Sequence, residues 1–342
     1  MKASVVQGWP KGTHIRIHLS DVDSSQVNAI RRSLIADVPK MAIHEVRFTT
    51  GFYILCECGA QYEPSPGDDR AATCPSCNRP ASDGELFESV NAIPDEVLAH
   101  RLGMTPVPTF LRGEEHPDGF LFLEDDPNNE GKPRDQWGSP NSQIIYTCRK
   151  QGPRRDDPED HVWVTVGDLQ CLSADERHFV DERFASIPLT MLTKGQFLEF
   201  YAFAQLGRGR DHAKYEAANA IGFHPREVAV LNDATAAKVL FELNLTTSDG
   251  RPIDAKLFDK KGRIEDINTV SDVRAALFQV GYGTGRDAQF NDSITLETVP
   301  SEYVLEYETD GSHSPETAFN LALSELERRV SEVIADLAHA TA

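Results

Sequence analysis

The sequence predicts an α+β protein of two or three domains that carries a small cysteine-rich module. The chain has 342 residues, more than one hydrophobic core usually organises. Each end combines a strand pattern with a helix that has one apolar face. Four of the six cysteines fall within 22 positions, residues 56–77, which is typical of a metal-binding module in a reducing compartment.

The first of these strand-and-helix pairs begins near residue 14. Apolar and polar residues alternate from His14 to Leu19, which predicts a half-buried strand. Turn and cap residues follow from Asp21 to Ser25, and Pro39 ends the next helix. The apolar positions of that helix have helical spacing: Val27, Ile30, Leu34 and Ile35.

The second pair lies at the C-terminal end of the chain. Tyr303–Tyr307 alternates as a strand does, and Ser314 with Pro315 begins a long helix. Its apolar stripe consists of Phe319, Ala322, Leu326, Val330, Val333 and Leu337. Either both stripes fill the core of this chain, or part of them remains for a second subunit. The residues alone favour the core.

The middle of the chain predicts mainly β structure. A short helix is expected over Asp95–Leu102. The periodicity of the apolar run Gln196–Gln205 suits a helix or a strand equally well, and its aromatic residues and flanking glycines favour a buried strand. The Asp-, Pro- and Gly-rich stretch Arg112–Asp160 predicts long surface loops around short apolar runs. Residues Asp233–Asp292 show short strands and turns without a clear organising pattern.

The four clustered cysteines predict a structural zinc site. Their pairs, Cys56 with Cys58 and Cys74 with Cys77, would each occupy one tight turn, so that two turns supply four soft ligands. An iron–sulfur cluster and unligated thiols are the less favoured alternatives. A catalytic zinc is disfavoured because four cysteines leave no open coordination position.

Charge and composition exclude several functions. The formal net charge of −20 opposes nucleic-acid binding by most of the surface, because phosphate contact requires Lys and Arg. No apolar run is long enough for a membrane span and no signal peptide is visible, so a cytoplasmic protein without membrane contact is expected. Neither a GxSxG sequence nor a polymerase metal signature occurs, so no catalytic residue is predicted.

Five stretches, in this order, resemble one protein family. They are Val27–Pro39, Ala42–Val46, Asp95–Pro108, the loop Gly207–Tyr215, and the final strand with Gly311 and the helix Pro315–Leu337. Together they are similar to the alpha-like subunit of multisubunit RNA polymerases. The resemblance is to the archaeal form of this polymerase component, which is related to the third-largest subunit of the eukaryotic enzymes.

The resemblance implies a discontinuous fold and an assembly role. A dimerisation domain would comprise residues 1–48 and 293–342, with an inserted domain at 49–225 that contains the zinc ribbon at 52–87. Residues 226–292 would be an irregular insertion. The protein would pair with a small alpha-like (L) subunit. The pair would then be the platform for the two large catalytic subunits of this nucleotidyltransferase, alongside its other subunits, with only indirect contact to DNA.

The resemblance also assigns residues to contacts. Partner-binding residues would be Val27, Ile30, Arg31, Leu34, Ile35, Phe319, Ala322, Leu326, Val330, Val333 and Leu337. Contact with a large subunit would involve Gly207, Arg208, Gly209, His212, Ala213 and Lys214.

Two departures from the family pattern accompany this resemblance. Residues 233–292 contain no cysteine, so the iron–sulfur cluster of many archaeal members is not expected, and the four-cysteine module stands where the family has a short link. One alternative function is a free-standing zinc-ribbon protein that binds nucleic acid or regulates transcription. It is weakened because residues 52–87 hold only Arg70 and Arg79 against six acidic residues. A metal-dependent enzyme is weakened by the saturated ligand set.

Overall fold

A computed structural model describes residues 1–63, 73–89, 93–114, 116–173, 175–281 and 293–340. The chain divides into two compact units. The terminal unit comprises residues 1–33, 218–309 and 322–342, and the central unit comprises 34–217 and 310–321. Among the helices of the described ranges, none is both long and apolar enough to cross a membrane.

The terminal unit contains a five-stranded antiparallel sheet of order β1-β2-β14-β12-β13. The strands are β1 (Lys2–Val5), β2 (His14–Ser20), β12 (Ala218–Leu231), β13 (Arg263–Ile264) and β14 (Ile294–Thr309). In β2, Ile15, Ile17 and Leu19 are buried while the residues between them are half-exposed, which confirms the predicted alternation. The middle strand, β14, pairs with β2 on one side and with β12 on the other.

The two long terminal helices begin at polar caps. Helix α1 spans Ser24–Ala36, and the carboxylate of Asp23 accepts hydrogen bonds from the backbone N–H groups of Ser25 and Gln26 at 2.8 and 2.9 Å. The last helix, α5, spans Pro315–Ala340, and the hydroxyl of Ser314 accepts from the N–H of Thr317 at 3.1 Å. Both helices were predicted from their apolar spacing and their first residues.

Residues 233–281 are more ordered than the sequence predicts. They contain a short helix α3 (Lys238–Phe241) and a fifteen-residue helix α4 (Ile267–Gly281). Buried Val270, Val273 and Ala276 pack into an apolar cluster with residues of β12, β13 and β14. The expectation of strands and turns alone is therefore wrong for 267–281, while residues 282–292 of the predicted insertion lie outside the described ranges.

The central unit contains a four-stranded antiparallel sheet of order β3-β11-β7-β9. Its strands are β3 (Pro39–Phe48), β7 (Gln143–Gln151), β9 (Gln170–Cys171) and β11 (Phe197–Arg208). The unit also contains a two-stranded sheet of β8 (His161–Thr165) and β10 (Pro188–Thr193), and the helix α2 (Asp95–Gly103). The predicted buried strand at Gln196–Gln205 is confirmed as β11.

The described residues of the stretch Arg112–Asp160 form loops and short turns, as predicted, except at Gln143–Gln151, where strand β7 lies. In β7, Ile144, Tyr146 and Cys148 are buried at alternate positions, as in a half-buried strand. The acidic and turn-forming residues around this segment obscured the alternation in the sequence. The acidic loop before this strand also has a buried anchor. Asp126 is only 2% exposed, and its carboxylate accepts a hydrogen bond from the hydroxyl of Ser142 at 2.6 Å.

The cysteine module begins as a three-stranded antiparallel sheet of order β5-β4-β6. Its strands are β4 (Phe52–Leu55), β5 (Gln61–Tyr62) and β6 (Glu85–Glu88). Tyr53 packs on Phe87 and on Phe197 of β11, with ring centroids 5.4 and 4.9 Å away. The N–H of Glu88 also donates to the carbonyl of Gly195 at 2.8 Å, so the module is fixed to the central sheet.

Candidate metal centre and partner surfaces

The four cysteine sulfurs of the module converge on one point. Sγ of Cys56 lies 3.5 Å from that of Cys77, and Sγ of Cys58 lies 3.6 Å from that of Cys74. All four sulfurs lie within 4.8 Å of one another. A tetrahedral ion with metal–sulfur bonds of about 2.3 Å requires sulfurs about 3.8 Å apart. The arrangement therefore fits a four-coordinate metal.

Two tight turns position these sulfurs. In the first, the N–H of Gly59 donates to the carbonyl of Cys56 at 2.8 Å; in the second, the N–H of Asn78 donates to the carbonyl of Cys74 at 2.9 Å. Gly59 and Asn78 have positive φ values of +88° and +56°, which glycine and asparagine adopt most readily. The sequence therefore has glycine and asparagine at the positions of the two turns that require a positive φ.

The second turn also favours the ionised form of a cysteine. Burial of Cys74 opposes ionisation, but backbone N–H groups of Ser76 and Cys77 donate to its sulfur and lower the pKa of the thiol to about 7. An ion pair between Arg79 and Glu57 joins the two turns. Thiolates are the form that binds metals. A backbone hydrogen bond at Arg79 lowers the pKa of the Cys77 thiol, but burial and hydrogen bonds with the other cysteine sulfurs raise it to about 12, so this turn favours ionisation of Cys74 and not of Cys77.

The remaining cysteines do not join the cluster. Cys148 is buried in the central core, and burial raises the pKa of its thiol to about 12. Burial also raises the pKa of Cys171. Within the part of the chain that the structure describes, the four module cysteines are the one group of three or more His, Cys, Asp or Glu side chains close enough to share a metal.

The predicted partner-binding residues separate into three groups by exposure. Buried within this chain are Val27, Ile30, Leu34, Phe319 and Ala322, each at most 7% exposed. Half-buried are Arg31, Ile35 and Leu326. Val330, Val333 and Leu337 are 54%, 57% and 60% exposed. The assignment of the whole set to partner binding stays a prediction. Only Val330, Val333 and Leu337 are apolar residues of this set that are more than half exposed.

An open groove of about 490 Å³ lies between α1 and the second part of α5. Its lining consists of Ala29, Arg32, Leu326, Arg329, Val330, Glu332, Val333 and Ile334. Of these, Leu326, Val330 and Val333 were predicted as partner-binding residues, and the other five were missed: Ala29, Arg32, Arg329, Glu332 and Ile334. Ile334 is 61% exposed and continues the four-residue spacing of Leu326 and Val330, a pattern that could have identified it.

The loop Gly207–Tyr215 follows β11 and is closely packed. A Cβ at Gly207 would lie 2.5 Å from the ring of Tyr215, and one at Gly209 would collide with the carbonyl of Ile35. The N–H of Lys214 donates to Nδ1 of His212 at 3.1 Å, which closes a single turn. Other atoms therefore approach both glycines so closely that a larger residue would not fit at either position.

The basic residues of this loop have different environments. Arg208 donates through Nε to the carbonyl of Asp37 at 3.1 Å and stacks on Phe122, with 4.4 Å from its guanidinium carbon to the ring centroid. His212 and Ala213 are exposed, whereas Lys214 is half-buried. The assignment of this loop to a large-subunit contact stays a prediction.

These features describe an assembly module: a sheet-and-helix unit drawn from both chain ends, with an apolar groove open between its helices. The sequence matches the family described as the RNA polymerase Rpb3/Rpb11 dimerisation domain over residues 16–330. The match covers more than nine-tenths of the chain, and the chain therefore belongs to this family.

Individual relatives agree with the family match. The chain is 26% identical to DNA-directed RNA polymerase subunit Rpo3 of Thermoplasma volcanium, over 92% of this chain and 91% of that protein. It is 25% identical to subunit Rpo3 of Thermococcus kodakarensis, over 94% and 93%. It is 20% identical to DNA-directed RNA polymerase II subunit rpb3 of Dictyostelium discoideum, over 96% and 92%. The prediction of a non-catalytic assembly subunit of DNA-directed RNA polymerase is confirmed.

Proposed function

We propose that this chain is the archaeal alpha-type subunit that binds a small L-like subunit through the groove between α1 and α5. The observation that carries the proposal is the groove itself, in a chain that belongs to a dimerisation-domain family. Val330, Val333 and Ile334 are each more than half exposed on one helix. A contiguous apolar surface of this kind is typical of a protein interface.

The composition of the groove fits a helical partner. Five of its eight lining residues are apolar, and the charged residues Arg32, Arg329 and Glu332 also line it. Burial of the apolar surface would contribute about 25 cal/mol per Å², and the loss of translational and rotational freedom offsets part of this gain. The charged residues would favour one register of the partner helix over others.

The experiment is co-expression with the small subunit from the same organism, followed by measurement of the mass of the complex. The double substitution Val330→Asp and Val333→Asp places two charges in the groove and should abolish the heterodimer. Val97→Asp is the matched control, because Val97 is also an exposed valine on a helix, at 43% exposure on α2. A heterodimer that survives the double substitution would refute the proposed interface.

We also propose that the four-cysteine module binds one structural Zn²⁺ ion. The support is the convergence of four sulfurs on two turns, which leaves no position for substrate or water. The ion would hold the turns of Cys56 and Cys74 together, so folding of the module would depend on metal. An iron–sulfur cluster is the alternative that metal analysis must decide.

Metal analysis of the purified chain tests this site. The wild-type protein should contain one equivalent of zinc, and Cys58→Ser should lose it. Cys171→Ser is the matched control, because that cysteine lies outside the cluster and should leave the zinc content unchanged. Detection of iron and acid-labile sulfide in place of zinc would show that the module binds an iron–sulfur cluster. A zinc content that is unchanged in Cys58→Ser would refute the proposed zinc site.

The loop Gly207–Tyr215 is our proposed contact with a large polymerase subunit. Its support is a base packed closely at Gly207 and Gly209, which carries four exposed residues beside the half-buried Lys214: Arg210, Asp211, His212 and Ala213. The test is binding of the heterodimer to the large subunits after replacement of this loop by a glycine–serine linker of equal length. Binding unchanged from the wild type would refute the contact.

A further inference from the structure

The hydroxyl of Tyr62 is a buried polar group that no described residue satisfies. Its oxygen has almost no contact with solvent and no hydrogen-bond partner among the described residues, and the residue as a whole is half-buried. A buried hydroxyl without a hydrogen bond costs free energy, so native proteins rarely leave such a group without a partner. The position of Tyr62 in the cysteine module indicates which groups could complete its hydrogen bonding.

The strand register places Tyr62 on the same face of the module as Cys56. Tyr62 lies opposite Ile54 in the pairing of β5 with β4. The N–H of Cys56 donates to the carbonyl of Ala60 at 2.9 Å, which continues this pairing into the first turn. Because successive side chains of a strand alternate between its faces, those of Ile54, Cys56 and Tyr62 share one face. Cys56 is thus a diagonal neighbour of Tyr62, at a Cβ separation of roughly 7 Å that an aromatic side chain can span.

The electrostatic environment also indicates that the hydroxyl lies near the four sulfurs. Burial raises the pKa of Tyr62, and the charges of all four cysteines raise it further, with the largest contribution from Cys74. Such an interaction weakens with distance, so the oxygen is close to the metal-binding group. Cys56 and Cys74 are only 2% and 0% exposed, so water has little access to either residue. A hydrogen bond to either sulfur must therefore come from the protein.

We propose that the hydroxyl of Tyr62 donates a hydrogen bond to a buried metal-bound thiolate, that of Cys56 or Cys74. This inference rests on the proposed zinc site and adds a positioning residue outside its four ligands. Four thiolates around a divalent ion carry an excess of negative charge, which a nearby O–H donor stabilises. Donors beside metal ligands also hold those ligands in place and strengthen metal binding. The ionised ligand set is thus the partner that the hydroxyl otherwise lacks.

The substitution Tyr62→Phe tests the proposal because it removes the hydroxyl and keeps the ring. The full chain should bind zinc about tenfold more weakly in competition with a chelator, since the loss of a donor beside a ligand weakens metal binding. In the cobalt(II)-substituted protein, the sulfur-to-metal charge-transfer band should shift to longer wavelength, because a thiolate without its donor releases electron density more readily. Tyr53→Phe is the matched control, since Tyr53 faces the other side of β4 and packs on Phe87 and Phe197.

The two measurements together decide the proposal. Weaker zinc binding with the band shift in Tyr62→Phe, and wild-type behaviour of Tyr53→Phe, supports it. Zinc binding and a cobalt spectrum equal to those of the wild type overturn it and leave the zinc site intact. Weaker zinc binding with an unchanged cobalt spectrum also overturns it, because the hydroxyl then acts on packing and not on a sulfur. A wild-type chain that binds neither zinc nor cobalt refutes the proposed zinc site together with this inference.

Discussion

The two parts of α5 share one apolar pattern but have different environments. In the first part, Phe319 and Ala322 are buried, and the carbonyl of Ala322 accepts a hydrogen bond from the hydroxyl of Ser33 in α1 at 2.8 Å. In the second part, Val330 and Val333 are more than half exposed beside an open groove. The same helical spacing therefore serves the core of this chain at one end and, we propose, another chain at the other.

This comparison shows what an apolar stripe can and cannot establish. Spacing at three and four residues identifies the face of a helix that leaves water. It does not identify whether that face is covered by the same polypeptide or by a partner, because the hydrophobic contribution per unit area is the same in both cases. Substitutions in the buried part of α5 should therefore lower the stability of the chain, and substitutions in the exposed part should weaken its association with a partner.

The largest expected effect is on the buried part of the helix. Phe319→Ala removes a side chain that is 7% exposed, and it should lower the free energy of unfolding by about 3 kcal/mol. Urea unfolding of the chain measures this loss. Val333→Ala, in the exposed part, should change the stability of the isolated chain by less than about 0.5 kcal/mol. Equal effects of the two substitutions would remove the distinction between the two parts.

The second prediction concerns the buried carboxylate of Asp126, whose hydrogen-bond partners all belong to the same chain. Hydrogen bonds from Ser139, Ser142 and Asn128 outweigh the burial of Asp126 and lower the pKa of its carboxyl to about 2. A lowered pKa in the folded state stabilises the protein above the unfolded value of about 4, and this contribution is lost as pH falls towards 2.

Asp126→Asn should therefore lower the free energy of unfolding by about 2 kcal/mol at pH 7. The difference from wild type should shrink as the pH is lowered from about 4 to about 2. The neighbouring Asp125 is exposed, and Asp125→Asn is the matched control, with little expected effect. A pH-independent difference between Asp126→Asn and wild type would contradict the assigned pKa.

The exposed part of the helix should affect association more than folding. Ile334→Ala should raise the dissociation constant of the heterodimer about tenfold, which corresponds to about 1.4 kcal/mol. The unfolding of the isolated chain should be unchanged, because Ile334 is 61% exposed. Calorimetric titration with the small subunit measures the first quantity. A loss of stability without a loss of affinity would place Ile334 in the core.

The smallest effect is expected from the ion pairs on the exposed part of α5. Arg328 pairs with Glu325 at 2.8 Å and also with Glu332; Arg328 and Glu332 are about half exposed, whereas the side chain of Glu325 is 14% exposed. Arg328→Ala should change the free energy of unfolding by less than about 0.5 kcal/mol, and added salt should abolish the difference. A larger, salt-resistant effect would show that this face is packed rather than solvated.

Local patterns were sufficient to predict much of the fold. Strand β2, helix α1, strand β14 and helix α5 were predicted because alternation and helical spacing coincided there with cap residues. The convergence of four cysteines was predicted from their spacing alone, since two close pairs restrict the possible geometry. The resemblance supplied the assembly role, which the residues alone did not favour.

The rest depended on contacts that sequence spacing does not encode. Helix α4 was missed, although Asp266 precedes it and accepts a hydrogen bond from the N–H of Thr269 at 2.9 Å, a cap that could have identified its start. Asp126 was placed in a solvated loop because its partners, Ser139 and Ser142, are distant in sequence. Predicting the part of the groove at Ala29 and Arg32 would have required knowing which residues of α1 are not covered by the rest of the chain.

The order of strands in the terminal sheet also constrains how the protein is made. Strand β14 separates β2 from β12, yet residues 294–309 leave the ribosome last among the strands of this sheet. Until then Ile17 lacks its neighbour Leu305, and β2 and β12 have unpaired inner edges. This sheet therefore cannot close before residues 294–309 have been synthesised, and a chain that stops ahead of residue 294 lacks the middle strand.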